Sequence, residues 1–249
     1  LSVRGFGARS TFGVRGVRLY VDGIPATLPD GQGQTSNIDL GSAERVEVLR
    51  GPFSALYGNS SGGVVQVFTE DGVGVPHLAV STAAGSFGTG RAGFKLSGAS
   101  GAVSYLLSAS RFHTDGWRAH SAADRDLLNA KFGLALGGGD KLTLVLNRVR
   151  ISAQDPLGLS ESQLADNPRG ADLATQYDTR KTVAQTQLGL VYEKRLASGD
   201  NLRLMAYAGE RKTMQFQSIP VSAQQNPLHA GGVIDLGRDY WGADLRWSR

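Results

Sequence analysis

Two glycine-rich segments are the first candidates for chemistry in this sequence, because glycine-rich loops can cradle the phosphates of a nucleotide. Residues 51–63 read GPFSALYGNSSGG and lie between two apolar, β-branched runs. They lack the Gly-Lys-Ser/Thr ending of a phosphate loop, so no lysine is available to reach a phosphate. Residues 5–10, GFGARS, approach the G-x-G-x-x-G pattern but end in serine and lack a surrounding strand-then-helix unit. Both segments are better interpreted as turns that need the backbone freedom of glycine.

The titratable residues form no recognisable catalytic set. The sequence has four histidines and no cysteine, which removes thiolate metal sites and cysteine nucleophiles. His113 and Asp115, with His120, have the residue types to bind a metal, but their spacing fixes no geometry, so solvated loop residues are the favoured interpretation. Paired carboxylates, an H-E-x-x-H motif and a nucleophile elbow are absent. We therefore predict no enzyme activity, no catalytic residue, no metal site and no cofactor.

Two arginines are candidates for a structural ion pair. Arg4 and Arg50 each begin an Arg-Gly pair beside an apolar strand. Each is either an ordinary surface arginine or, if this part of the chain fills a barrel, the partner of a carboxylate on the barrel wall. The second interpretation is chemically reasonable because the guanidinium fork binds a carboxylate through two parallel hydrogen bonds.

The elements that must position these residues differ between two parts of the chain. Residues 1–72 predict a small α/β unit, with short strands at residues 17–21, 45–49 and 63–69 and one helical turn at residues 53–57. This unit holds six Arg/Lys against seven Asp/Glu, so the net charge of +4 arises beyond residue 72. The basic residues there are scattered, unlike the clustered stripe typical of a nucleic-acid interface.

Beyond residue 72 the sequence alternates in polarity over successive strand-length segments. Short turns at residues 99–102, 137–140 and 197–200 alternate with long polar loops at residues 113–126, 151–181 and 212–235. No window approaches 18 continuous apolar residues, so the sequence predicts no transmembrane helix. Strands of about 10 residues joined in this way are typical of an outer-membrane barrel. A soluble β-sandwich is the alternative. One predicted strand face is apolar, while the other carries Lys95, Asn129, Lys131, Thr143, Asn147 and Arg203.

Several motifs in residues 1–72 resemble, in order and spacing, the plug domain of TonB-dependent outer-membrane receptors. They are VRGF at residues 3–6, LYVDGIP at 19–25, ERVEVLRGP at 44–52, SALYG at 54–58 and GGVV at 62–65. The resemblance implies an all-β outer-membrane β-barrel preceded by the C-terminal part of a small α/β plug. Residues 1–72 would be the plug, and residues 73–249 would supply about the first 8 of roughly 22 barrel strands.

The resemblance also implies partners and a location. Such a receptor lies in the outer membrane of a Gram-negative bacterium, surrounded by outer-membrane lipid and lipopolysaccharide, as a monomer. TonB would bind a segment that precedes Leu1, so the chain is expected to be an internal fragment. Arg4 and Arg50 match the two plug arginines that contact barrel glutamates in this family. No nucleic-acid partner is expected.

In this family the ligand is captured by apical plug loops and extracellular barrel loops, and the plug then moves to admit it. A ferric siderophore is the expected ligand, and pyrroloquinoline quinone, another small polyanion, is the alternative because residues 19–34 resemble that branch. A passive porin or adhesin barrel and a soluble β-rich binding domain are competing classes. Loop position and side-chain chemistry predict ligand contacts at Arg9, Arg15, Asp30, Gln32, Gln34, Trp117 and Arg118.

Overall fold

Two sheets make up the fold. The structure is a computed structural model, and it describes residue 3 and residues 13–51, 54–58, 60–228 and 231–249. A sheet of four strands is followed along the chain by a sheet of eight strands. Within the described residues, no helix is long and apolar enough to cross a membrane.

The four-stranded sheet forms the N-terminal unit. Its strands lie in the order β2-β1-β4-β3, with β1 and β4 parallel and the other pairs antiparallel. β-branched and leucine side chains of β1 and β4, among them Val17, Leu19 and Val67, form the core of this unit. The elements are β1 (Val17–Val21), β2 (Ile24–Pro25), β3 (Ala43–Arg50), a single helical turn α1 (Ser54–Tyr57) and β4 (Gly63–Thr69).

The eight-stranded sheet is an antiparallel meander in which each strand pairs with its neighbours in sequence. Connections at one end are tight turns, whereas the other end carries the longer loops at residues 115–122, 155–179 and 217–232. Its strands are β5 (His77–Ala84), β6 (Gly90–Ser100), β7 (Val103–Thr114), β8 (Ala123–Gly137), β9 (Asp140–Gln154), β10 (Arg180–Arg195), β11 (Asn201–Phe216) and β12 (Val233–Ser248). Two short helices, α2 (Glu161–Asp166) and α3 (Asp172–Tyr177), lie in the loop before β10.

The prediction of strands joined alternately by short turns and long loops is confirmed, but the predicted loop bounds at residues 113–126, 151–181 and 212–235 were too wide. The structure extends β7 to Thr114, β9 to Gln154 and β11 to Phe216, and it begins β8 at Ala123 and β12 at Val233. These strand ends mix polar and apolar side chains without a long apolar run. Polarity alone therefore assigned them to loops.

The two faces of the large sheet differ in the predicted way. Leu144, Leu188, Leu190 and Leu204 are exposed on one face, as is Phe132. The opposite face packs against the N-terminal unit: Ile24 enters a cluster with Val145, Val191 and Met205. Polar contacts surround that cluster. The polar face of the sheet therefore forms a wall, and the N-terminal unit packs against this wall. The lumen-facing side chains that contact the unit include Lys95, Asn129, Lys131, Gln187 and Arg203.

Candidate anion-binding site at the barrel mouth

A cavity of about 170 Å³ lies where the 28–34 loop of the N-terminal unit meets β10, β11 and β12. It opens on the side of the long loops. The loop contributes two glutamines, and the strands contribute three cations together with a threonine, a glutamine and two aliphatic side chains. The lining residues are Gln32, Gln34, Lys181, Arg211, Thr213, Gln215, Ile234, Leu236 and Arg238.

The register of the strands places two arginines side by side in this cavity. Arg211 of β11 is the cross-strand partner of Arg238 in β12 and of Gln185 in β10. Like charges directly opposite each other are unfavourable in a sheet, so this pair needs neutralising partners. Lys181 lies four residues from Gln185 along β10, on the same face, since side chains two residues apart share a face.

The partners of these cations leave positive charge unsatisfied. The buried Arg211 donates from Nη1 to Oε1 of Gln185 at 2.6 Å, and that oxygen also accepts from Asn37 Nδ2 at 2.9 Å. Arg238 pairs with Asp30 at 2.6 Å. In the described part of the chain, Asp30 is the one carboxylate paired with these three cations. The cavity is therefore suited to an anionic ligand, which would supply the missing negative charge.

The 28–34 loop owes its shape to a tight turn at Pro29, Asp30 and Gly31. Gly31 has φ +83°, a conformation that glycine adopts without a steric penalty. Its backbone N–H donates to Leu28 O at 2.9 Å, and the Gln32 N–H donates to Oδ1 of Asp30 at 3.0 Å. Asp30 thus holds its own loop through one oxygen and Arg238 through the other. This arrangement directs Gln32 and Gln34 at the cavity.

The predicted ligand contacts separate into two groups in the structure. Gln32 and Gln34 line the cavity and Asp30 lies beside it, paired with Arg238, whereas Trp117 lies on the 115–122 loop. Trp117 is 45% exposed and stacks near the Arg169 guanidinium at 5.7 Å.

Arg118 holds neighbouring loops together. Its guanidinium donates to the carbonyls of Leu157 at 2.6 Å, Pro156 at 3.0 Å and Gly170 at 2.6 Å. These bonds tie the 115–122 loop to the 155–179 loop. The guanidinium is therefore engaged with the protein itself.

The predicted plug arginines have fewer contacts than Arg118 where the structure describes them. Arg15 and Arg50 are exposed, and neither has an ion pair within the described residues. Arg4 and Arg9 lie outside the described residues, so the structure places neither the first predicted latch residue nor the first predicted ligand contact.

Lys181, Arg211 and Arg238 were missed by sequence reasoning. The alternation that places Arg203, Met205 and Tyr207 on the lumen face continues without interruption to Arg211. Extending that alternation by four residues would have found Arg211. The three cations were missed because all were assigned to, or beside, long polar loops.

A second polar cluster joins the N-terminal unit to the wall at the opposite end. Lys131 of β8 contacts Asp22 at 3.2 Å and Asp71 at 2.7 Å, and Lys141 of β9 contacts Asp71 at 3.3 Å. Burial acts to raise the pKa of the Asp71 carboxyl, but hydrogen bonds and charges from Lys131 and Lys141 outweigh burial and lower the pKa. The carboxylate is therefore the stable form of Asp71 in the folded protein.

The histidines that had the residue types for a metal site are engaged with other partners. His113 Nδ1 contacts Asp124 at 2.8 Å, and His120 Nε2 contacts the Thr179 carbonyl oxygen at 2.8 Å. Among the residues that the structure places, no group of three or more His, Asp or Glu side chains is arranged to hold a metal ion.

The N-terminal unit matches a known domain family. Residues 1–65 match the TonB-dependent receptor plug domain. The chain is 35% identical over 100 residues to the pesticin receptor of Yersinia enterocolitica, an alignment that covers 39% of this chain and 14% of that receptor. It is also 35% identical over 89 residues to the ferrienterobactin receptor of Escherichia coli K12, covering 31% of this chain and 11% of that receptor.

Solved structures share the fold over nearly the whole chain. The ferric citrate transporter FecA in its unliganded form superimposes with a TM-score of 0.70 at 23% identity, covering 94% of this chain and 37% of that one. The siderophore receptor PirA from Acinetobacter baumannii gives a TM-score of 0.65 at 19% identity, covering 95% of this chain and 37% of that one. The chain thus spans little more than a third of these structures and a smaller share of the curated relatives.

These matches agree with the geometry described above. The matched relatives are receptors and transporters, which agrees with the prediction of no enzyme activity. The plug family matches the N-terminal unit that packs against the wall. The match to the solved structures also covers the eight-stranded wall itself. Residues 1–65 thus belong to the plug domain family of TonB-dependent receptors, and the eight-stranded sheet has the fold of part of the β-barrel in the matched outer-membrane structures.

Proposed function

We propose that the chain forms the ligand-capturing part of a receptor that imports an anionic ferric chelate, a ferric siderophore, across the outer membrane. The observation that carries this proposal is the set of Lys181, Arg211 and Arg238 around a cavity where Asp30 is the paired carboxylate. A ferric chelate with carboxylate or catecholate arms carries the complementary charge. A cavity of about 170 Å³ fits one arm of such a ligand, with the rest held by the surrounding loops.

The proposed import mechanism follows the arrangement of plug and wall. We place the plug in residues 1–72 and the barrel from residue 73 onward. Ligand binding at the mouth would be followed by movement of the plug, driven by TonB acting on a segment before Leu1. The receptor would act as a monomer embedded in lipid and lipopolysaccharide. A passive pore is disfavoured because the plug packs against the lumen face through Ile24 and the contacts around it.

The remaining predicted residues take roles within this proposal. Arg9 and Arg15 extend the plug's ligand surface, and Trp117 offers an aromatic face from the barrel loops. Arg118 acts by holding the loop that carries Trp117, because its donors are engaged with three backbone carbonyls. Arg4 and Arg50 would latch the plug to carboxylates of the barrel. Pyrroloquinoline quinone is the alternative ligand, since its carboxylates carry the same charge.

A binding panel on the full-length receptor tests the proposal. The probes are ferric citrate, a ferric tricatecholate, an uncharged ferric trihydroxamate and pyrroloquinoline quinone. We expect one of the anionic probes to bind, and Lys181→Gln to weaken it about tenfold, which corresponds to roughly 1.4 kcal/mol. Lys212→Gln is the matched control, because Lys212 follows Arg211 on β11 but lies exposed on the opposite face.

Growth of a deletion strain on the same compounds, with the full-length gene restored, links binding to import. The proposal fails if only the uncharged chelate binds, or if Lys181→Gln and Lys212→Gln have equal effects on affinity. Binding of pyrroloquinoline quinone alone would replace the siderophore with the alternative ligand.

A further inference from the structure

The ion pairs between the plug side and the barrel wall share one polarity. In every such pair among the described residues, the carboxylate belongs to the plug or to the segment directly after its last strand, and the cation belongs to the barrel. The pairs are Glu70–Lys95 at 2.5 Å, Asp22–Lys131 at 3.2 Å, Asp71–Lys131 at 2.7 Å, Asp71–Lys141 at 3.3 Å and Asp30–Arg238 at 2.6 Å.

The barrel cations depend on these partners for neutralisation. Lys131 is the most enclosed: its side chain is 11% exposed and that of Asp22 is 5% exposed. Lys131 Nζ also donates to the Thr69 carbonyl at 3.0 Å. None of these barrel cations has a carboxylate partner on the described barrel strands. The cations are Lys95, Lys131, Lys141 and Arg238. Removing one member of a buried pair leaves an uncompensated charge, which is strongly unfavourable.

The rest of the lumen face offers these cations little negative charge. Its described strand positions carry two acidic residues, Glu193 and Asp244. Asp244 is already occupied by Arg203 at 3.7 Å and Arg246 at 2.8 Å. Glu193 lines the cavity of about 320 Å³ beside Lys131 and Lys141 without an ion pair to either lysine. The wall is therefore strongly basic once the plug is set aside.

The basic wall extends from the mouth to the opposite end of the sheet. The register aligns Arg211 with Val149 of β9 through Gln185. Eight residues separate Val149 from Lys141 on that strand, a distance of about 26 Å at the rise of a β-strand. Lys131 lies between, in the row that contains Val145 and Tyr207. The cations thus follow the length of the lumen.

We propose that these lumen cations form an anion track that the plug carboxylates mask in the resting receptor. When the plug moves, Asp22, Glu70 and Asp71 leave with it, and Lys95, Lys131 and Lys141 are uncovered. An anionic ligand then replaces the departing carboxylates along the wall, so its passage offsets the cost of breaking the ion pairs. The identification of the passing anion as the ligand rests on the proposed function. The masking of a basic wall by plug carboxylates does not depend on that function.

Ion selectivity tests the track without any knowledge of the ligand. The full-length receptor is placed in a planar bilayer with a KCl gradient, and urea is added until the plug leaves the lumen and current flows. We expect the open pore to prefer chloride over potassium. The triple variant Lys95→Gln, Lys131→Gln, Lys141→Gln should move the permeability ratio towards unity, whereas Lys212→Gln should leave it unchanged. An unchanged ratio in the triple variant overturns the proposal.

A variant that swaps the two charges of one ion pair distinguishes the anion track from a role of that pair in holding the plug in place. Glu70→Lys combined with Lys95→Glu preserves the ion pair but moves the cation from the wall to the plug. We expect the closed receptor to stay as impermeable as the wild type before urea is added, and the opened pore to have a lower chloride preference than the wild type. Full chloride preference in the exchanged variant would contradict the track. If selectivity responds as expected but no anionic probe binds at the mouth, the proposed function fails and the track stands.

Discussion

Arg211 and Arg238 illustrate how a few side chains define the site at the barrel mouth. Each is opposite the other across two strands, and each is held by a different partner, Gln185 for Arg211 and Asp30 for Arg238. A neutral amide orients the buried arginine without cancelling its charge. The positive charge is therefore both fixed in place and available to a ligand.

Gly189 supports the seating of the plug through its lack of a side chain. A Cβ atom at this position would lie 2.3 Å from Cδ1 of Ile24, which is inside the plug–barrel cluster. We expect Gly189→Val to lower the stability of the full-length receptor by about 1–3 kcal/mol, the usual cost of overpacking. Thermal unfolding measures this, with Gly237→Ala as control, because a Cβ at Gly237 would meet nothing within 4 Å. Equal melting temperatures for the two variants would contradict the close packing of Ile24.

Asp71 gives the plug–barrel contact a defined dependence on pH. Its folded-state pKa lies below the ordinary value of 3.8, so the ion pairs with Lys131 and Lys141 contribute stability at any pH above about 4. That contribution is lost as the pH falls below 3.8 through the folded-state pKa. We expect Asp71→Asn to lower the melting temperature at pH 7 and the difference from the wild type to shrink as the pH falls below 3.8. A difference that does not shrink below that pH would show that Asp71 acts otherwise than through its charge.

At the level of single residues, sequence reasoning selected some residues that the structure places at or beside the candidate cavity. Asp30, Gln32 and Gln34 were predicted from loop position and side-chain chemistry, which are readable without tertiary information, and their role in binding stays a prediction. Lys181, Arg211 and Arg238 were missed because their neighbours are polar as well, and their common cavity depends on the register of three strands. That register is set by pairing across the sheet, which single-strand alternation does not reveal.

The secondary-structure elements were predictable where one face is apolar. Strand positions in the middle of the wall alternate cleanly, so β8 and β11 followed from a period of two residues. The ends of β9 and β11 were not predicted, since both strands continue into sequence of mixed polarity. The helical turn α1 was predicted at nearly its observed place by a proline before it and a glycine after it.

The 115–122 and 155–179 loops behave as one element because Arg118 joins them. Replacing Arg118 with glutamine removes hydrogen bonds to Leu157, Pro156 and Gly170. We expect Arg118→Gln to accelerate hydrogen exchange in both loops and to leave exchange in the 28–34 loop unchanged. Arg111→Gln is the control, since Arg111 is exposed and contacts Asp126 at a long 3.8 Å. If Arg118→Gln weakens ligand binding without altering exchange, Arg118 contacts the ligand directly.

The arrangement of the whole molecule could be anticipated only through the family resemblance. Local patterns separate a four-stranded unit from an alternating wall, but they do not show that the first fills the second. The decisive contacts, such as Ile24 with Val145 or Asp22 with Lys131, join residues more than 100 positions apart. The structure adds that the charges across this contact are polarised, with acids on the plug side and bases on the barrel.

The position of the bound iron is the sharpest test of the proposed ligand site. Crystals of the full-length receptor with the ferric chelate selected by the binding panel would be measured at the iron absorption edge. We predict an anomalous peak at the barrel mouth, with an anionic group of the chelate within hydrogen-bonding distance of Arg211, Arg238 or Lys181. An iron peak whose chelate touches none of these three side chains would contradict the assignment of this cavity as the ligand site.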